Sequence, residues 1–155
     1  MILSAQSIRA RMATNITPFC ERSVSPSGLS FGLGPCGYDI RIDRGFTILS
    51  RSFCLAGSLE HFSIPEDLVM LIKDKSTWAR RGLFVQNTVA EPGWKGYLTL
   101  ELSNDSMDKI RLEEGDPIAQ VLFLKLDQVT EQPYTGKYQH QQRGPQPALR
   151  EAILS

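Results

Sequence analysis

From about residue 28 to residue 126 the chain is a succession of short apolar or alternating runs separated by turn-forming clusters. The runs read "LSFGL", "YDIRI", "FTIL", "SFCLA", "HFSIP", "LVMLI", "LFVQN", "YLTLELS", "KIRLE" and "IAQVLFLKL"; between them lie "GLGPCG", "PED", "EPGWKG", "SNDSMD" and "EEGDP". Apolar runs this short, punctuated this often by Gly, Pro, Asn and Asp, leave room for strands and almost none for helices. The pattern predicts a mainly β domain: a sandwich, jelly roll or barrel. Two segments stand apart. In "LSAQSIRARM" Ile8 and Met12 fall at helical spacing behind Ser4 as N-cap, which predicts one short N-terminal helix. In "KSTWARRG", Ser76 or Thr77 can cap and Gly82 can stop a turn or two of helix near residues 76–81.

A chain of 155 residues can bury its own core as one domain. Its 17 basic and 17 acidic side chains cancel, so it lacks the electrostatic footprint of a sequence-independent nucleic-acid or membrane-surface binder, and a small ligand fits better. No apolar run reaches transmembrane length and "MILSAQSIRARM" is too polar for a secretory signal, so a cytosolic protein with no membrane partner is expected. Cys20, Cys36 and Cys54 are odd in number and widely spaced. They predict free, mostly buried thiols rather than a disulfide framework or a cysteine-rich zinc site.

The strand "GYLTLELSN", Gly96 to Asn104, sets Leu98, Leu100 and Leu102 on one face and Tyr97, Thr99, Glu101 and Ser103 on the other. Tyr97 and the apolar neighbours predict that both faces are covered, which leaves a carboxylate in mid-strand. Either Glu101 is ion-paired with a core-facing Arg or Lys, or burial raises its pKa toward neutrality for acid and base work. Asp39 in "GYDIRI" and Glu91 in "AEPGW" are the other carboxylates in such settings. The H-x-E and P-C-x-x-C halves of the zinc deaminase signature are both missing: His61 precedes "FS", His140 precedes "QQ", and "PCGYD" has no second cysteine. Both histidines read as structural or exposed. The zinc-protease, P-loop and serine-hydrolase motifs are missing as well.

"DKSTWARRGL" gathers Lys75, Ser76, Thr77, Arg80 and Arg81. Hydroxyls, main-chain donors and cations at one point suit a phosphate, though a solvated basic turn contains the same residues. The last part, from "PYTGKYQHQQRG" onward, is rich in Gln, Pro, Gly and Arg, with no strand or helix period before its final few residues. It reads as an extended tail, either disordered or ordering over a ligand.

Four blocks in order resemble one known family, the dCTP deaminases of the dUTPase-like superfamily. They are "GLSFGLGPCGYDIRI", "KSTWARRGLFVQNTVAEPGWKGYLTLELSN", "GDPIAQVLFLKL" and "PYTGKYQHQQRG". The resemblance implies a distorted jelly roll of residues 1–126, a C-terminal extension of residues 127–155 closing over the nucleotide, and a homotrimer with active sites between subunits. It implies a nucleotide-binding set of Lys75, Ser76, Thr77, Trp78, Ala79 and Arg80, then Thr99, Leu100 and Glu101, then Gln120, Tyr134, Lys137 and Gln141. Glu101 aligns with the family's catalytic glutamate, and Ser76 and Arg80 would hold the water and the tetrahedral centre. Mg²⁺ would arrive with the triphosphate and take no protein ligand, and no zinc is implied. The implied reaction is hydrolysis of dCTP to dUTP and ammonia. Alternatives on the same scaffold are a dUTP diphosphatase, a bifunctional enzyme doing both, and a catalytically silent nucleotide sensor. The hairpin "FVQNTVAEPGW" is shorter than in many relatives and lacks the tyrosine on which dUTPases stack the sugar. Glu91 stands about where they hold their water-activating aspartate. The connection from "YDIRI" to "HFSIP" is shortened too.

Overall fold

In the computed structural model, which describes residues 1–151, the chain opens with helix α1 (Ala5–Met12) and strands β1 (Ile16–Thr17), β2 (Ser23–Val24), β3 (Ser30–Leu33), β4 (Tyr38–Arg41) and β5 (Phe46–Ile48). It continues through β6 (Ser52–Ser63), β7 (Leu68–Asp74), helix α2 (Ser76–Ala79), β8 (Leu83–Val85), β9 (Val89–Ala90), β10 (Lys95–Asn104), β11 (Ile110–Leu112) and β12 (Pro117–Lys125). A four-stranded sheet runs β1-β6-β10-β8, a six-stranded sheet β2-β3-β4-β12-β7-β9, and β5 pairs with β11. The expected mainly β class holds. One core draws on both large sheets, with Phe62, Leu100 and Leu102 from the first and Tyr38, Ile40, Ile72, Val121 and Phe123 from the second. Each large side chain so buried contributes about 1.5–3 kcal/mol.

Three local readings are corrected. "SFCLA" and "HFSIP" are one strand, because "GSLE" between them continues β6 through an irregularity: Tyr97 opposes His61 but Thr99 opposes Gly57. Lys75, in extended conformation, holds the N-cap position of α2 that was expected of Ser76 or Thr77, and Gly82 (φ 84°) ends the turn. The thiols are free but not buried, since Cys36 is exposed and Cys20 and Cys54 half-buried. Two-residue strands such as β9 carry too little period to be read from sequence. Helix α1 lies where expected, with Ile8 and Met12 inward. Ser4 precedes it without a side-chain capping bond, its hydroxyl donating instead to Ser7.

Arg41 pairs with Glu60, a fully buried carboxylate. The Arg41 guanidinium donates to Oε1 at 2.7 Å and its main-chain N–H to Oε2 at 2.9 Å. This contact ties β4 of one sheet to β6 of the other. The tail beyond β12 forms no regular element, yet it is pinned along the start of β10. The Trp94 indole donates to the Tyr138 carbonyl, His140 N–H to the Lys95 carbonyl and Tyr97 N–H to the Gln141 carbonyl. Residues 152–155, the end of the expected extension, lie outside the described residues, as does most of the period expected there.

Candidate active site

Alternation along β10 is the local reason that Thr99 and Glu101 share a face. Leu100 and Leu102 are buried on the other side, Leu98 at the irregularity lines the cavity that covers this face, and Thr99 and Glu101 are half-buried opposite Gly57 and Leu55 of β6. Over this face lies a cavity of about 520 Å³. Its floor is Phe53 and Leu55 of β6 with Thr99 and Glu101. One wall is the hairpin from Thr88 to Glu91, which leaves the four-stranded sheet after β8 and joins the edge of the other through β9. The opposite wall is the tail, through Tyr134, Tyr138, Gln141 and Gln146.

Glu101 Oε2 is buried and accepts no hydrogen bond. None of the ion pairs among the described residues includes it. The core ion-pair reading therefore fails for Glu101 and belongs to Glu60 instead. Burial pushes the Glu101 carboxyl above the ordinary glutamate value, so it can accept a proton readily and hold it. Thr99 Oγ1 accepts the main-chain N–H of Gln146 at 2.9 Å, which ties the tail to the same face.

Two glycines make that docking possible. At Gly96 (φ 151°) an added Cβ would lie 2.7 Å from Gln141 N, and at Gly57 it would lie 2.9 Å from Gly144 Cα. Contacts that close do not occur for real side chains, so the tail crosses β10 and β6 where side chains are missing.

The other expected residues divide sharply. Lys75, buried, pairs with Asp39 at 2.5 Å, and Gln120 donates to the same carboxylate at 3.2 Å. This cluster sits on the six-stranded sheet, where Gln120 opposes Asp39. Ser76, Thr77 and Arg80 are exposed beside it. No residue of the segment 75–81 lines the Glu101 cavity. Within one chain the structure thus brings Thr99, Glu101, Tyr134 and Gln141 together and leaves Lys75, Ser76, Thr77, Arg80 and Gln120 elsewhere. Lys137 pairs with Glu151 at 3.1 Å. Trp78 and Leu100 point into the core, with the Trp78 indole donating to the Pro117 carbonyl, so only their main chains could meet a ligand. Ala79 is half-buried in the α2 turn.

Of the other candidate carboxylates, Asp39 is taken by Lys75, whereas Glu91 is exposed at the cavity rim. His61 stacks edge-on against Tyr97, and burial followed by the nearby His140 holds it below the ordinary histidine value. Phe53, Leu55, Tyr138 and the run from Gln146 to Ala148 line the cavity without having been singled out. The alternation in "SFCLA" carried a signal for the first two; the tail had none, having no period. Among the described residues no three His, Cys, Asp or Glu side chains converge as metal ligands, and no helix is long and apolar enough to cross a membrane.

The comparisons with known proteins identify the family. The family model described as dCTP deaminase-like matches residues 38–126. A dCTP deaminase of Campylobacter hominis is 35% identical over 88% of this chain and 87% of its own length. One of Helicobacter pylori is 36% identical over 81% of this chain and 85% of its own. Among solved structures, the native EIAV dUTPase superposes with TM-score 0.55 at 21% identity, over 65% of this chain and 84% of that one. A mutant Staphylococcus bacteriophage 80alpha dUTPase with dUpNHpp does so at 0.56 and 18%, over 78% and 88%. These last two bear on the fold alone. With a matching family model over more than half its length and relatives near 35% identity across most of it, the chain belongs to the dCTP deaminases, a family of hydrolases with the dUTPase-like fold.

Proposed function

We propose that this chain hydrolyses dCTP to dUTP and ammonia, with Glu101 as base and then acid. The observation that carries the reading is a half-buried carboxyl with an unpartnered oxygen on the floor of a nucleoside-sized cavity. Water attacks C4 of cytosine as Glu101 takes its proton. Glu101 passes that proton to N3, then takes the second from the C4 hydroxyl and gives it to N4, so that the C4–N4 bond breaks, ammonia leaves and a uracil ring remains. A carboxyl whose pKa burial raises above the ordinary glutamate value serves both steps. Thr99, on the same face, would help to read the base.

Phosphate binding falls to Lys75, Ser76, Thr77 and Arg80, with Gln120, Tyr134, Lys137 and Gln141 as further contacts. The first group and Glu101 lie apart in one chain, so the reading requires the α2 corner of a second copy to meet the Glu101 cavity, as in a homotrimer. Two features support that meeting. Arg80 and Arg81 are exposed cations available to an anionic ligand, and Phe53 and Phe84, 58% and 44% exposed, flank Ser103 on the Glu101 face of the sheet. Ser76 and Arg80 would then stabilise the tetrahedral centre as preorganised donors. Mg²⁺ would enter with the triphosphate, neutralising its charge through phosphate oxygens and water. Residues 127–155 act as the extension that closes the site.

The deciding measurement is product analysis after incubation with dCTP and with dUTP separately, each with Mg²⁺. Ammonia and dUTP from dCTP are expected; tight dCTP binding without ammonia release would leave a nucleotide sensor instead. Glu91 at the cavity rim favours a second activity, pyrophosphate release from dUTP, and the same experiment reads it. Because Glu101 must be ionised to act as base, kcat/KM for dCTP should fall on the acid side. The midpoint should lie above the ordinary glutamate value of about 4.3. An acid limb at that ordinary value would remove burial from the mechanism.

A further inference from the structure

Where the tail crosses β6 it covers a charge that the chemistry does not use. Asp43 follows β4, and its main-chain N–H donates to the Gly57 carbonyl at 3.0 Å, which lays it along β6 beside the Ile42–Ser58 bridge. The Asp43 side chain is 4% exposed. It packs on the bare backbone of Gly57, where an added Cβ would lie 3.0 Å from Asp43 Oδ2 and 2.9 Å from Gly144 Cα. Asp43 Oδ1 is buried and accepts no hydrogen bond among the described residues. The cation paired with it is Arg44, whose Nε lies 3.8 Å away, too far to donate. The Arg44 side chain is 67% exposed, and a Cβ added at Gly144 (φ 94°) would lie 3.1 Å from its Nη2. Gly144, itself buried, therefore packs against Gly57 and against the Arg44 guanidinium at the point where the Asp43 carboxylate is covered.

The tail is bonded to β10 on either side of this point. The Gln141 carbonyl accepts the Tyr97 N–H at 3.1 Å, and the Gln146 N–H donates to Thr99 Oγ1 at 2.9 Å. Pro145, between them, has no N–H to offer. A carboxylate buried without a hydrogen bond favours the open state, because lifting the tail returns it to water, and a guanidinium beside it offsets that cost. Resting on the deaminase reading above, we infer that Asp43 and Arg44 are positioning residues for the reaction: a clamp at Gly144 that keeps Gln146 and the residues around it in the wall of the Glu101 cavity. Neither residue lines that cavity, so each acts on the nucleotide through the tail alone.

The test reads the tail directly, by hydrogen exchange at the Gln146 N–H in the full chain without nucleotide. Arg44→Ala should speed that exchange about fivefold, the scale of an ion pair with one partner in water, and leave exchange within β7 and β12 unchanged. Arg44→Lys, which keeps a cation, should stay within about twofold of the unaltered chain. Adding Asp43→Asn to Arg44→Ala removes the stranded charge and should bring exchange back to within about twofold. With dCTP, Arg44→Ala should raise KM by up to about fivefold and leave kcat within about twofold, because saturating substrate draws the tail shut. Unchanged exchange at Gln146 with Arg44→Ala overturns the clamp. So does faster exchange throughout β7 and β12, or a double variant that shows no recovery. These exchange measurements need no nucleotide, so they decide the clamp by themselves. Absence of dCTP deamination by the unaltered chain overturns the reading beneath it instead.

Discussion

Glu101→Gln is expected to reduce ammonia release from dCTP by about 10³-fold or more, the scale of a general acid–base contribution made twice in one turnover. The glutamine keeps the shape and hydrogen-bonding reach of the side chain but cannot take a proton from water. dCTP binding should survive, which separates a chemical defect from a folding one. The same substitution should make the protein more stable. The folded-state pKa of Glu101 is raised by burial, so the fold favours the protonated form. As pH rises through the unfolded value toward the folded one, ionisation increasingly opposes folding, a cost the glutamine lacks. At pH 7 the variant should therefore be the more stable of the two. Below pH 4 the difference should vanish. Thermal melts at the two pH values check the sign; undiminished ammonia release would end the assignment.

The second large effect concerns Glu60, the other mid-strand carboxylate. Glu60 is fully buried and bound by both the guanidinium and the main-chain N–H of Arg41. Arg41 also lies over the Phe31 ring, 4.4 Å from its centroid. Arg41→Ala removes the guanidinium and strands the carboxylate, which should cost about 3–5 kcal/mol. That corresponds to a fall in Tm of roughly 10 °C for a chain of this size. Replacing both partners by apolar residues, Arg41→Met with Glu60→Leu, should recover most of the loss, because no uncompensated charge then remains. If the double variant is as unstable as the single one, the contact matters for shape rather than charge, and the buried-charge account fails.

These two glutamates show how far sequence reasoning reaches. Both stand in apolar strands, and for Glu101 a core ion pair and catalysis were equally open. Which carboxylate is paired depends on the crossing of β4 against β6, a contact between residues far apart in the chain. The irregularity in β6 that sets Gly57 rather than Leu59 opposite Thr99 is likewise invisible in a pattern that continues through "GSLE".

The β class, the shared face of Thr99 and Glu101, the place of α2 and its stop at Gly82 follow from the sequence by itself, because period and turn chemistry are local properties of the chain. Tertiary structure alone decided that Glu101 is unpartnered and Glu60 paired, and that the periodless tail is seated on two glycines with Gln146 in the cavity wall. It also decided that Lys75, expected among the nucleotide-binding residues, stands with Asp39 and Gln120, apart from the Glu101 cavity. Each of these rests on packing between distant segments, where burial and close backbone approach, rather than residue type, determine what a side chain can do.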